Sequence, residues 1–177
     1  NNWTLALTTA DIVAGPESRQ ATITVTATDT SVTPNVSSSK SFVLTVLPPR
    51  ERSYTNNSPI TITDNSAASL YPSPIKVSDL LGSVSKVTVR LHGFSHFYPD
   101  DVGVLLVGPG GQKVVLMNRA GGAGDVFGAN IKFDQQALTP IPDVGTITSG
   151  IYSPADYRGG SYDFPAPAPT GAAPPRP

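Results

Sequence analysis

Two histidines and three aspartates stand out in this sequence as candidates for metal or acid–base chemistry, because of where they lie relative to the predicted strands and loops. His92 and His96 lie four residues apart, a spacing that brings two metal ligands together on an α-helix. Their neighbours favour a strand, and four residues along a strand span about 13 Å at ~3.3 Å per residue. We therefore predict no shared metal for this pair, and we expect His96 to form a hydrogen bond within the loop that precedes Asp100.

The aspartates are better candidates for binding a cation. Asp100 and Asp101 are adjacent and precede an apolar stretch, and Asp125 ends a glycine-rich run. Calcium is bound by several carboxylate and carbonyl oxygens that loops supply, so these three residues predict a calcium site. The alternative is that they are turn-forming residues, because Asp side chains commonly hydrogen-bond to the backbone of turns.

Several functional classes leave no trace in the sequence. There is no Cys and no Gly-x-Ser-x-Gly motif, and the Gly-containing run before Lys113 lacks the spacing of a phosphate-binding loop. Lys and Arg total 12 against 13 Asp and Glu, without the basic cluster that neutralises phosphates. No apolar run approaches the roughly 20 residues of a membrane-spanning helix. We predict a protein without enzymatic activity, nucleic-acid binding or a membrane span.

Strand-forming residues dominate the elements that must position these side chains. Apolar and polar residues alternate over residues 3–8, 21–28 and 41–47, which places Ile23 and Val25 on one face. Such alternation is typical of antiparallel sheets with one buried and one solvated face. Six further strands are predicted, and residues 78–81 are the one candidate for a helical turn. The six strands span residues 58–63, 75–77, 86–94, 102–107, 113–117 and 129–133.

Residues 58–170 resemble the P-domain module of proprotein convertases, in its bacterial variants. The resemblance is carried by Tyr71–Val77, by Val87–His96 and by Phe97–Gly111, where a His–aromatic–Asp pattern leads into an apolar strand and a Pro-Gly-Gly hairpin. It implies a jelly-roll-like β-sandwich that often binds calcium and has no catalytic residues of its own. Residues 3–47 resemble the C-terminal half of a bacterial immunoglobulin-like or cadherin-like repeat.

The predicted fold class is all-β, with two β-sandwich pieces that are both incomplete at the chain ends. Pro48 and Pro49 cannot donate to a sheet and stiffen the chain, so we place the boundary there and expect few contacts to cross it. The predicted order is a partial immunoglobulin-like sandwich, a proline-containing linker, a P-domain-like sandwich and an extended Pro/Ala-rich tail. These occupy residues 1–47, 48–57, 58–164 and 165–177.

The functional prediction is a non-catalytic structural or adhesive segment of an extracellular bacterial surface protein or filament. The chain starts at Asn1 without an initiator Met, so we expect a processed or excised segment. Its partners are then neighbouring copies of itself, which donate the missing strands, or flanking domains of a larger chain. One alternative is an accessory P-domain-like fragment of a secreted subtilisin-type protease. A carbohydrate-binding module is the third, and Trp3 is the only Trp available for stacking on a sugar.

Overall fold

The protein is all-β, as the alternation predicts. The chain divides into two compact units, residues 1–53 and residues 54–177. The predicted strand at residues 3–8 and the Pro48–Pro49 pair lie outside the described residues. The computed structural model describes residues 19–29, 31, 33–34, 36–46, 50–63, 66–80, 82–158 and 164–171.

The described part of the first unit is a two-stranded antiparallel sheet. Strand β1 spans Arg19–Asp29 and β2 spans Val36–Val46, with Ile23 opposite Phe42. The prediction for residues 21–28 is confirmed. The second strand begins five residues before its predicted start, because its serine-rich beginning carries no apolar alternation that would reveal it.

The two faces of this sheet differ sharply in chemistry. Because side chains alternate along a strand, one face is mainly apolar, and we call it the hairpin face. Lys40 lies opposite Val25 on this face. The other face carries hydroxyl groups that hydrogen-bond across the strands. The hairpin face consists of Ala21, Ile23, Val25, Phe42 and Leu44. The hydroxyl pairs are Thr24–Ser41 at 2.8 Å, Thr26–Ser39 at 2.7 Å and Thr28–Ser37 at 2.8 Å.

The described residues of the second unit form two three-stranded sheets. One sheet has the order β3-β6-β7, in which β3 pairs antiparallel and β7 pairs parallel with the central β6. The other has the order β4-β5-β8, in which β4 pairs antiparallel and β8 pairs parallel with β5. A short 3₁₀ helix, Pro99–Asp101, follows β3. The strands are β3 (Val89–His96), β4 (Val104–Val107), β5 (Lys113–Asn118), β6 (Val126–Phe133), β7 (Gly150–Tyr152) and β8 (Ala155–Asp156).

One hydrophobic core joins the two sheets. Met117 of β5 and Ile131 of β6 are completely buried, and Phe133 is 2% exposed. Loop residues Ile141 and Ile147 complete the core from outside the sheets. Each large side chain buried in this way contributes about 1.5–3 kcal/mol of transfer free energy. Because most of the buried strand residues belong to β5 and β6, the centre of the second unit lies between these two strands.

Two predicted strands of the second unit are absent. Residues 58–63 and 75–77 form no strand, and residues 78–80 form no helical turn. The Thr61 N–H donates to Ser69 Oγ, and the Thr61 carbonyl accepts from the Ser69 N–H. Just before residues 75–77, the side-chain amide of Asn56 donates to the Pro74 carbonyl. Side-chain bonds of this kind compete with sheet ladders, and the prolines of this region lack the N–H that a ladder needs.

The predicted row of inward side chains at Val87, Val89 and Leu91 is confirmed only in part. Val89 and Leu91 pack against the core, whereas Val87 precedes β3 and is exposed. The short strands β7 and β8 were not predicted, because two or three residues are too few to show a period.

Candidate functional site

Three loops of the second unit meet at one end of the core; we call residues 97–103, 119–125 and 141–147 the loop cluster. Gly121 lies where they pack most closely. A Cβ atom there would lie 2.8 Å from Pro99 Cγ and 2.9 Å from Ile147 Cδ1, and the Gly121 N–H donates to the Pro142 carbonyl at 2.8 Å. Only glycine leaves room for this approach, and its φ of 87° also favours glycine.

The three aspartates predicted to bind calcium all lie at this end of the unit. Asp100 and Asp101 belong to the 3₁₀ helix, and Asp125 directly precedes β6. Among the described residues, which include all three, no group of three His, Cys, Asp or Glu side chains is placed to hold a metal ion. The calcium site stays a prediction, which calorimetry with and without a chelator tests.

The two histidines are held apart by the β3 backbone. His92 is an exposed residue within β3, and His96 ends that strand. The Tyr98 N–H donates to Nδ1 of His96 at 3.1 Å. This bond confirms the predicted loop role of His96, and it fixes Nδ1 as the acceptor nitrogen of the ring.

An exposed pair of aromatic rings stands beside the aspartates. Phe97 and Phe127 pack edge to face, with ring centroids 5.7 Å apart and an interplanar angle of 82°. They are brought together because His96 is opposite Val126 in the β3–β6 register. Phe97 is 74% exposed and Phe127 is 69% exposed. Most of both rings therefore faces solvent, although Phe is usually buried.

Sequence reasoning missed this aromatic pair. Phe97 was noted only within the P-domain resemblance, and Phe127 lies 30 positions further along the chain. Their contact depends on two register irregularities in the β3–β6 pairing, between Leu91 and Phe94 and between Phe94 and His96. No periodic pattern in the sequence signals such bulges.

The charges of the loop cluster are mainly negative. It carries four carboxylates and one guanidinium, and all but Asp100 are exposed. Exposed carboxylates and an exposed aromatic pair are thus both present at residues 97–127 of this unit. The charged residues are Asp100, Asp101, Arg119, Asp125 and Asp143.

Two further findings bear on the class of protein. No helix within the described ranges is both long and apolar enough to cross a membrane. Comparison of the chain with protein-family models, with curated proteins and with solved structures finds no match.

Proposed function

We propose that this chain is a non-catalytic structural or adhesive β-segment of an extracellular bacterial surface protein or filament, and that a neighbouring copy covers its hairpin face. The observation that carries the proposal is the exposure of apolar side chains on that face. Val25 is 46% exposed and Phe42 is 48% exposed, although both belong to the apolar side of an alternating strand pair.

A two-stranded sheet cannot bury its own apolar face. Isolated hairpins of this kind are marginally stable in water, and a third strand or a second layer normally supplies the missing burial. The opposite face of β1 and β2 needs no cover, because its hydroxyl groups bond to one another and remain in contact with water. In the described β1–β2 sheet, the hairpin face is therefore the face that a partner has to cover.

A second copy fits this face because the chain is sparsely charged. Only 14% of its residues are charged and its formal net charge is −1, so copies repel one another weakly. The low charge and the abundance of Thr and Ser also support an extracellular location. The exposed Phe97–Phe127 pair adds a second apolar surface, which supports an adhesive role for the other unit.

Sedimentation velocity of the full chain over a range of concentrations tests the proposal. We expect wild type to self-associate and Phe42→Ser to weaken association at least about tenfold, because burying a Phe side chain is worth ~1.5–3 kcal/mol. Val43→Ser is the matched control: Val43 is the next residue in β2, is 59% exposed and lies on the hydroxyl face.

We expect Val43→Ser to associate as wild type does. Two results would contradict the proposal: a wild-type chain that stays monomeric at every concentration while unfolding cooperatively, or equal losses in Phe42→Ser and Val43→Ser. Turnover of peptide or glycan substrates by the purified chain would contradict the non-catalytic assignment.

A further inference from the structure

The described residues near the C-terminal end of the chain lie against the β4–β5 hairpin. Residues 164–171, which we call the proline-rich segment, contact Gly103 at one end of that hairpin and Lys113 at the other, and Asn118 lies beside Gly103. Tyr71 contacts the segment between these ends. We call Tyr71, Gly103, Lys113 and Asn118 the segment site.

Phe164 is the aromatic anchor of the proline-rich segment. A Cβ atom at Gly103 would lie 3.0 Å from Cε1 and 3.2 Å from Cζ of the Phe164 ring, closer than side chains normally tolerate. Glycine at position 103 therefore leaves room for the ring. A Cβ atom at Gly103 would also lie 3.6 Å from Oδ1 of Asn118, so that amide lies close to the same glycine.

The polar contacts of the segment site reach backbone carbonyls. Tyr71 Oη donates to the Pro165 carbonyl at 2.7 Å. Lys113 Nζ donates to the carbonyls of Pro169 and Thr170, at 2.9 Å each, and to the carbonyl of Gly171. An ammonium group has three N–H donors, and each has a carbonyl acceptor here. Carbonyl recognition suits prolines, which have no N–H to offer.

The proline-rich segment supplies no hydrogen-bond acceptor for one buried donor of the segment site. Asn118 is 4% exposed, and its Nδ2 is a buried donor that forms no hydrogen bond among the described residues. A buried donor without an acceptor carries a free-energy penalty. The bound arrangement is therefore held by one aromatic contact and four carbonyl contacts, against one unsatisfied amide.

We propose that the segment site is a peptide-binding site for a proline-rich segment that begins with an aromatic residue, and that the same segment of a second copy can occupy it. None of the contacts depends on the segment belonging to the same chain. Proline-rich peptides are recognised in grooves through such aromatic and carbonyl contacts, and exchange of an identical element between copies is a common route to assembly. This inference rests on the proposed function, because it names one connection between neighbouring copies.

Peptide binding in solution tests the site itself. A labelled peptide with the sequence of residues 164–171 is titrated by fluorescence anisotropy into the full chain carrying Phe164→Ser, whose own segment lacks its anchor. We expect it to bind at least tenfold more tightly than it binds wild type, whose intact segment competes. Lys113→Gln added to this variant should weaken binding at least tenfold, and a peptide with Ser in place of Phe should not bind.

Gly103→Ala in the Phe164→Ser chain gives a second, independent test, because its methyl group fills the space for the ring. Circular dichroism checks that each variant is folded. The inference is overturned if the peptide fails to bind the folded Phe164→Ser chain, or if neither Lys113→Gln nor Gly103→Ala weakens binding.

Exchange between copies is tested by mixing two variants. The Phe164→Ser chain offers an empty site, and the Lys113→Gln chain offers an intact segment that its own site holds poorly. Both carry Phe42→Ser, which weakens association through the hairpin face. We expect a one-to-one complex in the mixture and much less association in either variant alone.

A mixture that sediments as the sum of its parts overturns exchange, whatever Phe42→Ser does by itself. Conversely, a complex in this mixture supports exchange even if the hairpin face proves to have no role. The two proposals therefore fail separately.

Discussion

The carboxylate of Asp134, at the turn that follows β6, is bonded to a lysine and to a backbone N–H. Lys86 Nζ lies 2.9 Å from Asp134 Oδ2, and the Gln136 N–H donates to Oδ1 at 3.0 Å. The hydrogen bond from Lys86, followed by that from the Gln136 backbone, lowers the pKa of Asp134 below its ordinary value. Both bonds favour the charged form.

The lowered pKa makes a prediction about stability in acid. Because the unfolded chain binds the proton more readily, the contribution of Asp134 is present above about pH 4 and is lost as pH falls through the folded pKa. Asp134→Asn should therefore flatten the loss of unfolding free energy below about pH 4, measured by urea denaturation at several pH values.

The cause of the shift has its own control. NMR titration should show that Lys86→Met raises the pKa of Asp134 more than Lys132→Met does, because Lys132 acts only through a weaker charge interaction. An equal effect of the two substitutions would contradict the assigned cause.

Gly121 gives a second prediction for a single residue. Gly121→Ala meets both a positive φ and two core side chains closer than 3.0 Å, whereas Gly145→Ala meets a φ of 92° with nothing within 4 Å. The conformational penalty of about 1–2 kcal/mol is common to both, and crowding adds roughly 1–3 kcal/mol at Gly121. Urea unfolding should show that larger loss, and equal losses would show that the loop cluster is not tightly packed.

Single residues were predicted well where their partners lie nearby in the sequence. The loop bond of His96 is formed with Tyr98, two residues away, and local chemistry suffices to expect it. The Phe97–Phe127 contact and the meeting of Lys113 with residues 169–171 depend on register and on chain path. Neither is encoded in a local pattern, so sequence reading found the residues that suit chemistry but not the ones that meet.

Among the elements, the strands with one apolar and one polar face were the predictable ones. The period of two in residues 21–28 corresponds to the apolar and the hydroxyl-bearing face of β1. Residues 58–63 have a similar composition but form no strand, since Pro59 lacks an N–H and the Thr61 N–H donates to Ser69 Oγ instead of to a neighbouring strand. The β-propensity of the residues thus predicted where a strand can form. Whether a strand does form depends on which groups bond to the backbone N–H and C=O groups.

The hydroxyl pairs of β1 and β2 provide a prediction for an element. In a double-mutant cycle of Thr26→Ala and Ser39→Ala, we expect a coupling of about 0.2–1 kcal/mol, the usual range for cross-strand pairs. Thr26 with Ser37 is the matched control, because these two residues are not opposite each other. Unfolding free energies of the four chains in each cycle measure both couplings, and a control coupling as large as that of the pair would refute the ladder.

At the scale of the whole molecule, stability depends on the core shared by the two sheets of the second unit. Phe133 and Phe127 both belong to β6, but Phe133 is 2% exposed and Phe127 is 69% exposed. Phe133→Ala should cost about 3–5 kcal/mol of unfolding free energy. Phe127→Ala should cost less than about 1.5 kcal/mol, the upper value for an aromatic pair, and chemical denaturation compares them.

A reversed order of these two losses would mean that the shared core is not what holds the sheets together. The expected order would instead show that the Phe97–Phe127 pair contributes little to folding. An aromatic pair that contributes little to stability yet remains in water is available for contact with another molecule.

The hydroxyl pairs also favour one register of β1 against β2. A slip of one residue between β1 and β2 would reverse which side chains share a face, so Thr26 would lose Ser39 and apolar groups would turn toward the hydroxyls. The register of the two strands therefore also determines whether apolar and hydroxyl-bearing side chains lie on separate faces. Only a hairpin with the correct register exposes one apolar face and one hydroxyl face. A misaligned hairpin mixes apolar and hydroxyl groups on both faces, and it would not offer the apolar surface to which we propose that a neighbouring copy binds.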